Sequence, residues 1–580
     1  MGMMGIPPME ENTRAEGDAE EAQGGENVFE EKAPLGTPLV RVLISLGVTA
    51  IVGFIYFYFQ LPVLNFHSQS LYLFLFWLCV TYSISMLLLK RVKNRERTRY
   101  VAYIKKQLPV PFFIVLGLAA ILLLGSASGW ALFRANAYAN LLTTENGDFA
   151  EEVAEIRWSQ IPMLDSTSAN NLANRKLGEL SDLVSQFAVN NTSAQINYKG
   201  KPVRVIYLDY DSFFKWWNNR DKGIPAYMIV DMVTQEVTVR RLEEGIKYSP
   251  SEYFNRNLER ALRFAYPTKI FGDVNFEIDE DGVPYWVASV FQKKVGLFSG
   301  DDVVGAVLMN AVTGESEYYD VADVPVWVDR VYSAELIVQQ YNYKGEYVNG
   351  FFNSLFGQTD CTEATDGYNY IAMNDDVWLY TGITSISGDR GNIGFILVNQ
   401  RTKEARYYSC AGAEEYSAMS SAEGAVQQYA YDATFPLLLN ISGEPTYFMA
   451  LKDTAGLVKM YAMVNVQQYQ VVAIGNSIET CQENYRRLLL ENGIHVETPE
   501  EPVEQETWTA EGVIEEIRSA AMEGDTQYFI RLTGETRYFV LNARENPLAV
   551  ILNTGDSVVI TVEGAESGDE LIWAKEIARK

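Results

Sequence analysis

Histidine is almost missing from this chain. His67 and His495 are the only two in 580 residues, and the stretch 135–493 has none. Neither a Ser/His/Asp nor a Cys/His constellation can be assembled there. A zinc site of the His/Cys type fails for the same reason. Cysteine is scarce too: Cys79 sits in an apolar run, and Cys361, Cys410 and Cys481 are widely scattered. Without a CxxC pair they suggest no metal or redox centre, and three outlying thiols allow one disulfide or none. Positive charge is in deficit, with 47 Lys/Arg against 75 Asp/Glu and a net charge of −28. That balance argues against nucleic acid as a partner, since phosphate neutralisation needs Lys/Arg. Neither a P-loop nor a Rossmann glycine signature occurs, so no cofactor is expected.

Three apolar runs, residues 40–63, 71–89 and 110–133, lack interior charge; Arg41 lies at one end of the first. Runs of about 20 apolar residues span a bilayer as helices. Membrane lipid is therefore the first expected partner. Spans without ionisable groups do not read as a transport pathway. Between the second and third runs lies the loop 90–109, with eight Lys/Arg and one Glu. Short basic loops stay in the cytoplasm. The expected topology has a cytoplasmic N-terminus and residues 135–580 outside the cytoplasm. Residues 1–38 are acidic and poor in aromatics, and read as disordered. Gly125 and Gly129 form a GxxxG in the third run. The spacing permits close packing and a helix–helix oligomer; chance or a local kink reads it equally well.

The outer region repeats. Residues 307–321 read VLMNAVTGESEYYDV and 396–410 read ILVNQRTKEARYYSC. Asn310, Thr313 and Glu315 match Asn399, Thr402 and Glu404, an offset of 89 residues. SAELIVQQYNY at 333–343 then matches SAEGAVQQYAY at 421–431, offset by 88. Fainter copies lie at 227–242 and 459–475. Alternating β-branched and aromatic residues predict strands, and Asp281-Gly282 and Ser442-Gly443 predict hairpin turns between them. Hairpins are expected at 276–290, 368–385 and 437–453. The Ser-Ala-Glu and Ser-Pro-Ser-Glu words predict helix N-caps. Each unit is then a small antiparallel sheet plus a helix.

An antiparallel pair ending in Asn/Asp-x-x-Thr-Gly/Lys-Glu beside a helix resembles PepSY-type modules of exported and membrane proteins. The likeness rests on MNAVTGESEYY, VNQRTKEARYY and the shorter VDMVTQEV. It implies non-catalytic modules that bind or restrain peptidases and other envelope partners. The chain departs from that pattern in its longer units, with helices following the Thr-Glu strand.

The expected fold class is thus a membrane protein with three transmembrane α-helices (39–134), a helical connector (135–202), and four α+β modules of tandem antiparallel sheet plus helix. The modules are placed at 203–272, 273–361, 362–432 and 433–495. An acidic Pro-containing linker (496–506) leads to 507–580, read as five strands with a short helix near 546–552. That order resembles an all-β OB-like barrel. Its seven Lys/Arg against thirteen Asp/Glu disfavour a nucleic-acid groove.

Candidate chemistry is sparse. The acidic run 277–282 superficially resembles the start of an EF-hand, but Ala288 stands where the closing Glu belongs. Asp301-Asp302 and Asp375-Asp376 are adjacent carboxylates of the kind glycoside hydrolysis pairs; such acids are more often solvated turns. Trp216, Trp217, Tyr318, Tyr319, Trp327, Tyr407 and Tyr408 could line a peptide or sugar groove. The alternative for them is cross-strand packing. No catalytic or metal-binding residue is assigned. The reading that follows is a non-enzymatic, membrane-anchored binding, scaffold or regulatory protein of the cell envelope, with a protein or glycan partner outside the cytoplasm. The alternatives are a subunit of a membrane transport or secretion complex, or a carboxylate-dependent extracytoplasmic hydrolase.

Overall fold

The computed structural model describes residues 37–89, 109–154, 161–162, 164–373, 376–386, 391–494, 507–522, 525–543, 546–563 and 571–580. The acidic N-terminus up to residue 36, the basic loop, His495, Asp375 and the acidic linker lie outside them. The chain divides into two compact units.

The first unit comprises residues 1–134, 248–271 and 290–302. It holds three helices long and apolar enough to cross a membrane: α1 Pro38–Gln60, α2 Gln69–Leu89 and α3 Pro109–Ser128. Thr37 caps α1 by accepting from the Val40 N–H, and Pro38 opens it where a missing N–H costs little. The helices start close to their expected positions, but α3 stops at Ser128, before residue 133. A β-carbon on Gly53 would come within 2.6 Å of Leu78, so glycine allows α1 and α2 to approach.

Two further segments complete this unit. The helix Leu258–Ala265 sets the Arg260 guanidinium 4.3 Å over the Tyr58 ring, while Arg260 Nε donates to the Tyr58 carbonyl. Phe264 packs edge-on against Phe57 at 5.3 Å. The turn between strands Pro284–Val295 and Ser299–Asn310 reaches the ends of α2 and α3. There Leu297 N–H donates to Ser128 Oγ at 3.0 Å, His67 Nδ1 lies 3.0 Å from the Leu297 carbonyl, and Phe298 meets Tyr72 edge-on. Gly125 and Gly129 face this turn, against Phe298 and Ser299.

The second unit comprises residues 135–247, 272–289 and 303–580 and is rich in β-structure. The sheets of the α+β region follow one plan. The first centres on Lys201–Tyr210, Ile224–Asp231 and Val237–Ile246, and the long strand Lys201–Tyr210 carries two short partners, Phe187–Val189 and Ala194–Tyr198. The third repeats this: Asp376–Ser385 pairs with Thr362–Ala364 and Asn369–Met373 on one side and Gly391–Asn399 on the other. In the fourth, Glu444–Lys452 takes Asp432–Ala433 and Leu437–Ile441 on one edge. The second is a four-stranded meander over residues 270–320. A helix follows each of the last three: Ala334–Glu346, Glu415–Ala425 and Ile478–Glu491.

The repeated Asn-x-x-Thr-x-Glu word is turn chemistry. Asn310 Oδ1 accepts the N–H of Val312 and Thr313, and Asn399 Oδ1 accepts those of Arg401 and Thr402. Asp231 does the same for Val233 and Thr234. The Thr hydroxyl then accepts the N–H of the following Glu315, Glu404 or Glu236. Each turn places one residue at positive φ: Gln235, Gly314 or Lys403.

Two expectations need correction. The connector is not wholly helical: its helix Ser166–Gly178 is followed by the two strands at 187–198 that join the first sheet. Alternation over AVNNTSAQINY is interrupted by the polar turn Asn190–Ser193, which hides the period. Of the helix-capping words, only Ser333 caps, accepting from the Leu336 N–H. Ser421 lies inside Glu415–Ala425, a helix begun earlier by the favourable run EEYSAM and ended soon after Gly424. The Ser249 word precedes a 3₁₀ turn, and Asn257 caps the helix beyond it.

The C-terminal strands run Thr507–Met522, Asp525–Leu532, Tyr538–Asn542, Ser557–Glu563, Leu571–Trp573 and Glu576–Arg579. The first pairs with both the second and the fourth. The last two short strands bond to Tyr538–Asn542 and to Ser557–Glu563 respectively. The pairing thereby curls back towards its start around a core of Ile530, Phe539, Val558 and Ile560.

Candidate functional site

Polar side chains are buried in the second unit at the junctions of its sheets. Residues 329–330, just before the helix Ala334–Glu346, tie three sheets together. Asp329 Oδ2 accepts the Asn197 N–H of the first sheet at 2.6 Å. Glu277 of the second accepts the N–H groups of Asp329 and Arg330 at 2.9 and 3.2 Å. Arg330 Nη2 donates to Tyr370 Oη of the third at 3.0 Å. Burial pushes the Glu277 carboxyl up to about 7, against the pull of these N–H groups and of Arg330. Arg204 is buried on the first sheet and donates to Gln195 and Ser193. Burial pulls its guanidinium down to about 10 while Tyr370 opposes the shift; Arg330 lowers it further and Asp165 resists. A lone charge within VRVIYL and another within NFEI were the available sequence signals for this cluster.

A second buried network surrounds Glu415, the first residue of its helix. Tyr380 Oη donates to Glu415 Oε1 at 2.6 Å, and Asn392 Nδ2 donates to Tyr447 Oη, which in turn donates to the Ala413 carbonyl. Burial raises the Glu415 pKa, and Tyr380 partly offsets it. Asp376 is likewise no solvated turn residue. It is buried, receives Arg401 Nε and Nη2 at 2.7 and 2.8 Å, and accepts from Asn399 Nδ2. Asp301 is ion-paired with Lys293.

The seven candidate aromatics are scattered: Trp216 and Trp217 on the helix Phe213–Asn219, Tyr318 and Tyr319 on the second sheet, Trp327 in a turn, and Tyr407 and Tyr408 on the third sheet. Trp216 is buried against Phe213, whereas Trp217 is half exposed beneath the Arg220 guanidinium at 3.8 Å. Tyr318 donates to Asp320 and Tyr319 to Glu317, both along one strand. Trp327 lies 5.1 Å from Tyr285. Tyr407 donates to the Ile393 carbonyl, and Tyr408 is buried between Phe149 and Phe395 with its hydroxyl on Glu152.

A concave feature lies elsewhere, where the first, third and fourth sheets meet. A small cleft of about 30 Å³ is lined by Leu164, Asp165, Met232, Asn369, Phe435 and Phe448, among others. Asp165 caps the helix Ser166–Gly178 and pairs with Lys452 at 2.7 Å. Its pKa stays low because these bonds and the Lys452 charge outweigh burial. Asn369 Nδ2 donates to the Phe435 carbonyl. The cleft offers a partly methionine-lined floor and a fixed carboxylate at the rim, with room for the tip of an apolar side chain beside a polar neighbour. Its residues come from sequence-distant loops and strands without a shared word, so no local pattern marks them. No protein-family model and no curated protein matches the chain.

Proposed function

We propose that this chain is a membrane-anchored, non-enzymatic binding or scaffold protein whose modular region lies outside the cytoplasm. The observation that carries the reading is the cleft at the junction of three modules, lined by Leu164, Met232 and Phe435 with Asp165 at its rim. Its ligand is a segment of an envelope protein that presents an apolar side chain. The non-enzymatic side of the reading is supported by Glu277, Asp376 and Glu415, whose carboxylates are engaged by donors within the chain.

The modules are read as PepSY-like, supported by the shared strand plan and the Asx turns. The terminal module is read as OB-like, supported by the curl of its strand pairing. The eight cations of the loop 90–109 support the outward orientation.

A photo-crosslinking amino acid at Phe435, in the full chain in its native membrane, tests the cleft. A discrete adduct that disappears on Met232→Lys is expected. The absence of any adduct at Phe435, with adducts at an exposed control such as Gln470, would count against the cleft. Activity of a periplasm-dependent reporter fused after Lys580 tests the orientation separately.

A further inference from the structure

The loop following the helix Ala334–Glu346 presents a cluster of apolar side chains to solvent. Phe352 is 67% exposed, Leu355 55% and Phe356 81%, with Val348 beside them at 48%. In a chain with 21% charged residues, the thirteen residues 347–359 (YVNGFFNSLFGQT) carry none. Solvated loops are normally where charge collects, so apolar tips in an uncharged setting call for an apolar medium.

The cluster is held in a fixed shape. Asn353 Nδ2 and Asn349 Nδ2 both donate to the Thr359 carbonyl, at 2.9 and 3.0 Å. The Asn353 carbonyl accepts the Gln358 N–H, closing the turn Asn353–Gly357, with Gln358 at positive φ. Phe351 braces Phe352 edge-on at 5.7 Å. At its base, Tyr343 and Tyr347 stack, and Tyr138 lies 4.7 Å from Tyr343. Tyr138 follows Ser128, the last residue of α3, by only ten residues, most of them in the helix Ala131–Ala139. The loop therefore packs on a residue only ten positions along the chain from a helix apolar and long enough to cross a membrane.

We propose that Phe352, Leu355 and Phe356 form a wedge that inserts into the interfacial region of the lipid bilayer. Two features favour lipid over a protein partner. Protein hot spots are enriched in Trp, Tyr and Arg, with Leu under-represented, whereas this cluster is Phe and Leu among carboxamides and hydroxyls, with one carboxylate, Asp360, bonded to Asn349. Apolar tips below uncharged hydrogen-bonding groups match the boundary between acyl chains and headgroups. Being on one chain with three helices able to cross a membrane also raises the effective concentration of bilayer at the loop. The inference goes beyond the cleft and holds whichever leaflet faces the cytoplasm.

The test uses the full chain, with Cys79→Ser, in phosphatidylcholine vesicles. A polarity-sensitive fluorophore is attached at Phe356→Cys, with Phe352→Cys as a second position and Gln470→Cys as control; the three remaining native thiols are buried. Nitroxide lipids labelled near the headgroup should quench positions 356 and 352 at least twofold more than 470, with blue-shifted emission. Quenching at 356 and 352 by aqueous iodide equal to that at 470 would overturn the wedge. Protection from both quenchers would also overturn it, because a protein surface would then cover the cluster.

Discussion

Gly125 of α3 and Phe298 of the hairpin turn are in direct contact: a β-carbon at Gly125 would lie 2.5 Å from Phe298 Cε2 and 2.8 Å from Leu297 Cδ2. The GxxxG face of the third apolar helix thus receives aromatic and aliphatic side chains of the same chain. Gly129, just past the helix end, similarly leaves room for Ser299. Overfilling such a contact costs roughly 1–3 kcal/mol. Gly125→Val should lower the unfolding temperature of the detergent-solubilised protein, and adding Phe298→Ala should recover part of the loss. Strict additivity of the two changes would show that the residues do not interact.

The Asx turns carry a second prediction. Asn310 satisfies two backbone N–H groups with one oxygen. Asn310→Ala removes both bonds and should cost about 1–2 kcal/mol. Gln235 holds the equivalent of the Gly314 position at φ 64°. Left-handed backbone penalises residues with a β-carbon by roughly 1–2 kcal/mol, partly offset by the entropy glycine loses on folding. Gln235→Gly should therefore stabilise slightly, and Gly314→Gln should destabilise. Hydrogen exchange at the turn amides checks the sign; the same direction for both changes would contradict this account.

These turns also show what the sequence makes legible. Asn310, Thr313 and Glu315 act on neighbours within five residues, so their word survives in Asn399, Thr402 and Glu404 and can be read by eye. The three apolar helices are equally plain, because length and hydropathy are local quantities. Ser421 shows the limit: it copies Ser333 in sequence, yet its helix starts six residues earlier because the preceding run already favours helix. The partners of Gly125 and Glu277 lie some 170 and 50 residues away, beyond any local pattern. The aromatics were visible as residues, but the burial of Tyr408 depends on Phe149, some 260 residues earlier in sequence, packing edge-on against it.

Glu277 makes stability depend on pH. Its carboxyl, pushed up to about 7 by burial, binds its proton more tightly in the folded than in the unfolded chain. The folded state therefore holds more protons between the unfolded value near 4.5 and about 7, and stability falls as pH rises through that window. A shift of this size corresponds to roughly 3 kcal/mol. Glu277→Gln removes the titration while keeping a carbonyl oxygen for the Asp329 and Arg330 N–H groups. The difference in unfolding temperature between pH 5 and pH 8 should shrink in the variant. An unchanged difference would assign the dependence to other groups, with Glu415 the next to substitute.

The three thiols of the second unit should be inert in the folded protein and unequal in how they are released. Burial pushes Cys410 up to about 11 and Cys481 up to about 12. At pH 8 the thiolate of Cys410 is then about a thousandfold depleted, and Cys481 more so. Both lie in the core shared by the third and fourth sheets, so their labelling requires that core to open. Cys361 is buried differently. It sits under the uncharged loop, with Asn353 Nδ2 3.3 Å from its sulfur and its own thiol donating to the Glu346 carbonyl. Local opening of that loop exposes it without disturbing the sheets. In a Cys79→Ser background, a thiol reagent followed by peptide mapping should label Cys361 well before Cys410 and Cys481 as urea is raised. Simultaneous labelling of all three would mean that the loop and the sheets unfold as one cooperative block.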